Sequence, residues 1–205
     1  MDDDQLPRLI LASASQTRVA MLRAAGLEFD VVPADIDEPA LHQMALADDD
    51  AVSPGSVAAL LARAKAVEVS LRYPHALVIG GDQVLALGKD MLFKAADVEG
   101  AKRTLLRLKG QTHVLHSAAA LAIDGRADWS ALDTAQLTMR DFSQAFLDDY
   151  LERAGSALTS SVGCYEIEGI GLNLFEKVSG HHATILGLPL LPLLAELRAR
   201  GVLPS

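Results

Sequence analysis

Cysteine is almost missing from this chain, with Cys164 the single one in 205 residues. That excludes an internal disulfide framework and fits a reducing compartment. Aromatic residues are scarce at 4%, although half of the sequence is apolar. The core must therefore be assembled from Ala, Val, Leu and Ile, as is usual where helices pack on a sheet. Basic residues are outnumbered, 18 Lys and Arg against 27 Asp and Glu, for a net charge of −9. Such a surface does not suit long nucleic acid held through its phosphates, and a small anion would need a local cluster of cations or helix N-termini. No apolar run reaches the roughly 20 residues of a membrane-spanning helix, and Met1 to Gln5 is acidic where a secretory signal is basic. The expectation is a soluble cytoplasmic protein that touches neither membrane nor nucleic acid polymer. The sequence also lacks a G-x-x-x-x-G-K-[ST] loop and a G-x-G-x-x-G turn after a strand, which sets aside P-loop ATPases and dinucleotide dehydrogenases.

What is present reads as one α/β fold unit over residues 1–205, with 1–7 and 202–205 as loose ends. Leu9 to Ala12 predicts a strand, and Ser13 to Ser15 opens a helix whose Val19, Leu22 and Ala25 recur at helical spacing until Gly26. Phe29 to Val32 predicts a second strand leading into Asp35, Asp37 and Glu38, and Leu41 to Val52 reads as a mobile excursion. Ser53-Pro54 starts a long helix that carries Lys65 and ends at Tyr73-Pro74. Ala76 to Ile79 predicts a buried strand ending in Gly80-Gly81-Asp82, with Val84 to Leu87 extended beyond it. Asp97 caps a helix through Leu108, and His113 to Ile123 with Trp129 to Met139 reads as a hairpin about Asp124-Gly125-Arg126. A helix from Ser143, a glycine-rich stretch from Gly163 to Gly171, a strand from Leu172 to Val178 and a helix from Leu188 to Arg200 complete the chain.

Chemistry-bearing residues stand at three of these junctions. Ser13-Ala14-Ser15-Gln16-Thr17-Arg18 brings free backbone N–H groups, hydroxyls and a guanidinium to one helix N-terminus, which suits a phosphate, although on local evidence Ser15 as a simple cap with Arg18 a solvated surface charge is the better account. Asp82, at a strand end behind two glycines, suits metal binding or proton abstraction, while Asp after Gly-Gly also begins ordinary turns. The acidic Asp35, Asp37 and Glu38 either bring a second carboxylate to the same metal or are solvated. Lys65 lies between Leu61 and Val69 on its helix, so its stem follows the apolar stripe and its ammonium emerges at the core edge; pairing with Glu68 is the plain alternative. Lys94 is unremarkable by itself. His181-His182 reads as a loop without zinc-site spacing.

Taken in order, these segments resemble the Maf family of nucleoside triphosphate pyrophosphatases from about Leu9 to Leu197. The resemblance rests on Leu11-Ala12-Ser13-Ala14-Ser15 with Arg18, Asp37-Glu38, Ala64-Lys65-Ala66 and Ile79-Gly80-Gly81-Asp82-Gln83-Val84. It continues through Leu108-Lys109-Gly110-Gln111-Thr112-His113, Gly163-Cys164-Tyr165-Glu166-Ile167-Glu168-Gly169 and Gly187-Leu188-Pro189-Leu190. It implies a two-lobed domain, an elongated mixed β-sheet flanked by helices, with a central cleft for the triphosphate. It also implies Asp82 as catalytic base, Ser13, Arg18, Lys65 and Lys94 at the phosphates, and Glu38 with Asp82 at a divalent metal, Mg²⁺ or alternatively Mn²⁺. Arg18, Gln83 and Glu168 match positions tied to substrate choice, and the Gln83 with Glu168 pair is similar to the branch acting on 7-methyl-GTP. A homodimer and a house-cleaning role against non-standard nucleotides come from the same resemblance. So does the competing expectation of a non-catalytic nucleotide-binding regulator of septum formation. The chain departs from the family pattern at Gln16-Thr17, Ala95 and His181.

Overall fold

The computed structural model describes residues 7–48 and 52–204, and Asp49 and Asp50 of the acidic stretch lie outside them. In chain order the elements are β1 (Leu9–Leu11), α1 (Gln16–Ala24), β2 (Asp30–Val31), α2 (Glu38–Asp48), α3 (Pro54–Arg72), β3 (Leu77–Leu87) and β4 (Asp90–Leu92). There follow α4 (Val98–Leu108), β5 (Thr112–Ile123), β6 (Arg126–Met139), α5 (Gln144–Arg153) and α6 (Ala157–Ser160). A 3₁₀ turn (Ile170–Leu174), β7 (Phe175–Ser179), α7 (His182–Ile185) and α8 (Leu190–Ala199) end the chain. The strands form an open mixed sheet in the order β2-β1-β3-β5-β6-β7, with β4 beside β3. β1 pairs parallel to both β2 and β3, whereas β4 and β7 pair antiparallel to β3 and β6.

The chain divides into two compact units. One comprises Met1–Gln83, Ser117–Asp133 and Leu186–Ser205, the other Val84–His116 and Thr134–Ile185. In the first, β1 feeds β2 through α1 on one side and is flanked by β3 on the other, so the strand order reverses at β1. In parallel sheets such a reversal opens a crevice at the carboxyl ends of the strands. Leu9, Leu11, Leu22, Leu77, Ile79, Leu121, Leu188, Leu193 and Leu197 make the core around it, and Trp129, Val202 and Leu203 pack on that core. The core is aliphatic, as the composition requires. In the second unit, α4 packs on α5 and α6, and α5 on the 3₁₀ turn.

Local chemistry accounts for the helix starts. The side chains of Ser15, Ser53, Asp97 and Ser143 each accept the backbone N–H three residues on, and Pro54 occupies the first turn of α3 where its missing N–H costs nothing. Five expectations need correction. The strand expected from Leu172 begins only at Phe175, because Ile170–Leu174 form the 3₁₀ turn. The segment from Leu41 is helical through Asp48, because the Asp37 side chain accepts the Ala40 N–H at 2.9 Å and the Ala, Leu, Met and Gln that follow are strong helix formers. Residues 202–203 are not loose: the N–H groups of Val202 and Leu203 both reach Leu197 O, and their side chains meet the core. His182 opens the short helix α7 instead of sitting in a loop. Asp82 does not end its strand, since β3 passes straight through Gly80, Gly81 and Asp82 to Leu87.

Candidate functional site

The position of Asp82 follows from register. β3 pairs with β1 only through Leu77, Val78 and Ile79, and Leu11 faces Ile79. Asp82 therefore lies just past the carboxyl end of the parallel portion, as Ser13 lies just past β1. Gly80 permits what comes next. A Cβ there would sit 2.0 Å from Ala62 O and 2.8 Å from Ala66 N, so only glycine lets α3 press against β3. That approach delivers Lys65, one turn along α3, to Asp82.

The Lys65 Nζ donates to Asp82 Oδ1 at 2.6 Å and lies 2.8 Å from Glu38 Oε1. The Lys65 and Asp82 side chains are 11% and 10% exposed, so this pair is inside the protein, while Glu38 reaches it from the half-exposed start of α2. Glu68, the plain alternative for Lys65, is occupied elsewhere: it accepts from Arg72 and from the Asp35 N–H. Burial pushes the Asp82 carboxyl above its ordinary pKa, reinforced by the Glu38 charge and opposed by Lys65 and Arg18. A carboxylate made more basic in this way is better able to take a proton from water.

Arg18 completes the cluster. Its Nη1 donates to Ser13 Oγ at 3.2 Å, and its Nε donates to Gly187 O at 2.9 Å. The guanidinium passes over Gly81, where a Cβ would stand 3.3 Å from Nε, and Gly187 adopts φ +105° beneath it. Burial lowers the Arg18 pKa, while the Asp82 and Glu38 charges hold it up. Ser13 Oγ also accepts the Ser15 N–H at 3.2 Å, and Ser15 caps α1. Ser15 is thus the cap of α1, and the capped helix start presents Ser13 and Arg18 together. Gln83 Nε2 donates to the buried Ser117 Oγ at 2.9 Å.

The first unit thus brings together Ser13, Arg18, Glu38, Lys65, Asp82 and Gln83. Lys94 and Glu168 belong to the second unit. Lys94 is exposed in the connection between β4 and α4. Glu168 is exposed and its Oε1 lies 3.1 Å from His182 Nε2. Gly187 and Ser117 were not singled out from sequence as partners of Arg18 and Gln83, because 169 and 34 residues separate the members of each pair. The only signal for Gly187 was its place in Gly-Leu-Pro-Leu.

Two carboxylates converging on one ammonium form a hard, oxygen-donor pair of the kind that suits Mg²⁺, which keeps waters and phosphate oxygens in its remaining positions. Among the described residues no group of three or more His, Cys, Asp or Glu is clustered for a metal. No helix among the described residues is long and apolar enough to cross a membrane.

Residues 8–200 match the family model described as "Maf-like protein". A 7-methyl-GTP pyrophosphatase from Mesorhizobium japonicum is 52% identical, over 96% of this chain and 98% of that protein. A nucleoside triphosphate pyrophosphatase from Maricaulis maris is 46% identical, over 97% and 99%. Among solved structures, a nucleoside-triphosphatase, dITP/XTP pyrophosphatase, from Mycobacterium abscessus aligns with TM-score 0.41 and 13% identity, over 96% of this chain and 98% of that one.

Proposed function

Since the chain belongs to the Maf family, we propose that it hydrolyses nucleoside triphosphates to monophosphate and pyrophosphate in the cluster around Asp82. The observation that carries this reading is the buried Lys65 ammonium held between Asp82 and Glu38, beside the Ser13 to Arg18 turn. Relatives of 52% and 46% identity that carry pyrophosphatase names support it.

The reaction adds water to the α-phosphorus and expels pyrophosphate, so charge neutralisation and in-line placement dominate its cost. A divalent cation held by Asp82 and Glu38 would supply charge neutralisation at the phosphate oxygens. Asp82 accepts the proton of the attacking water. Lys65 and Arg18 balance charge on the departing pyrophosphate. Ser13 Oγ holds the guanidinium of Arg18 in place.

Base choice is the role that family membership ties to Arg18, Gln83 and Glu168. A carboxylate accepts from the N1–H and N2–H₂ edge of guanine and favours the positive charge of a 7-methylated ring, whereas the carbonyls of uracil and thymine repel it. The chain therefore prefers 7-methyl-GTP to UTP and dTTP, a reading that the names of several relatives support. A cytoplasmic homodimer clearing non-standard nucleotides is the setting that family membership favours. The test is a panel of ordinary and modified triphosphates with Mg²⁺, its products separated by chromatography. Monophosphate with pyrophosphate, fastest from 7-methyl-GTP, is expected. Diphosphate with phosphate would overturn the reaction, and nucleotide binding without turnover would return the regulator reading.

A further inference from the structure

We infer that in the free protein the Lys65 ammonium holds the place of the divalent cation, so that the cation is admitted only with phosphates that take Lys65 over. This rests on the pyrophosphatase reading and extends it to the order of binding.

Lys65 Nζ is 2.6 Å from Asp82 Oδ1 and 2.8 Å from Glu38 Oε1, the same two carboxylates available to a metal. An ammonium and a divalent cation cannot both occupy that short space. The charges there balance: Lys65 and Arg18 against Asp82 and Glu38. A free cation approaching this cluster meets no net attraction and must first break a buried ion pair. The pair is buried, so solvent offers the ammonium little in exchange for its carboxylates. A triphosphate changes the balance. It offers oxygens to the ammonium, and the four-carbon stem lets the head shift toward them while the carboxylates pass to the metal. Removing the ammonium should have a similar effect without nucleotide, leaving a net negative site.

The experiment titrates Mn²⁺ into nucleotide-free protein and follows unbound Mn²⁺ by electron paramagnetic resonance. Lys65→Met should bind Mn²⁺ about ten-fold or more tightly than the wild type. The gain should vanish in Lys65→Met with Asp82→Asn. Lys65→Gln, polar and uncharged, provides a second variant should Lys65→Met fail to fold by circular dichroism. A non-hydrolysable α,β-methylene triphosphate should tighten Mn²⁺ binding to the wild type well beyond the analogue's own affinity. Equal Mn²⁺ affinity in the wild type and the folded Lys65 variants would overturn the inference, as would a gain that persists without Asp82. If the wild type still releases pyrophosphate in a Mg²⁺-dependent way, only the inference has failed. Release of pyrophosphate with the metal chelated would remove the metal role from the pyrophosphatase reading itself.

Discussion

The two units bury polar groups in different company. In the first, Lys65 is paired with Asp82 and Glu38 and Arg18 lies beside them, so burial, which shifts Asp82 up and Arg18 down, is opposed by neighbouring charges of the other sign. In the second, the buried polar groups are neutral. His113 Nε2 and Tyr165 Oη share a hydrogen bond of 2.8 Å, Tyr150 Oη donates to Cys164 O at 3.0 Å, and the Tyr165 ring meets Phe175 edge-on. Burial there drives every group toward its uncharged form: His113 falls to about 4, and Tyr150, Tyr165 and Cys164 rise. Burial works against charge in both units, and only in the first do neighbouring charges of the other sign oppose it. The neutral cluster instead braces the loop that carries Glu168: Tyr165 lies three residues before it, and a Cβ at Gly163 would stand 2.2 Å from the Tyr165 ring.

The largest way to break this contrast is to remove the charge on Asp82. Asp82→Asn is nearly isosteric, so the fold should persist by circular dichroism while pyrophosphate release falls about 10²- to 10⁴-fold. Near-normal turnover would remove Asp82 from the reaction. Next in size is acid. His113 titrates near 4 when folded and near 6.5 when unfolded, so the unfolded chain binds more protons between those values. Its contribution is intact above about pH 6.5 and is lost as pH falls toward 4, a loss of about 2 kcal/mol by pH 4.5. Urea denaturation at pH 7 and pH 4.5 should show His113→Gln losing about that much less than the wild type. Equal losses would contradict a buried neutral His113.

Tyr165→Phe keeps the ring but deprives His113 Nε2 of its hydrogen bond to the Tyr165 hydroxyl, and His113 Nδ1 is already without a partner among the described residues. A loss of about 1–3 kcal/mol in thermal or urea unfolding is expected, with kcat for the preferred triphosphate nearly unchanged. A fall in kcat matching that of Asp82→Asn would erase the division between the two regions. Smallest of all should be Arg153→Ala. Arg153 pairs with Asp149 at 2.9 Å on the exposed face of α5, and removing it should cost about 0.3 kcal/mol, vanishing at high salt.

Much of the first unit was legible because its signals are local. Ser15 and Ser53 cap the helices that their spacing implied, as Asp97 does in the second unit, and Lys65 between Leu61 and Val69 emerges at the core edge as its stripe required. Asp82 was found for a partly mistaken reason. Gly-Gly suggested a strand end, but the glycines serve α3 and Arg18, and the functional boundary is where β3 ceases to pair with β1. The helix from Glu38 to Asp48 was hidden by weak periodicity, because it depends on a cap and on good helix formers more than on an apolar stripe. Gly187 under Arg18 and Ser117 beside Gln83 were invisible, since only the fold makes distant residues neighbours. Glu168 was legible only through family resemblance. Its His182 partner lies in a helix of four residues that nothing in the local pattern announced.

The measurement that bears most directly on the Asp82 cluster is hydrolysis of 7-methyl-GTP in water enriched in heavy oxygen, with both products weighed by mass spectrometry. Attack at the α-phosphorus predicts one heavy oxygen in the monophosphate and none in the pyrophosphate. Label in the pyrophosphate, or in free phosphate released beside a diphosphate, would contradict it.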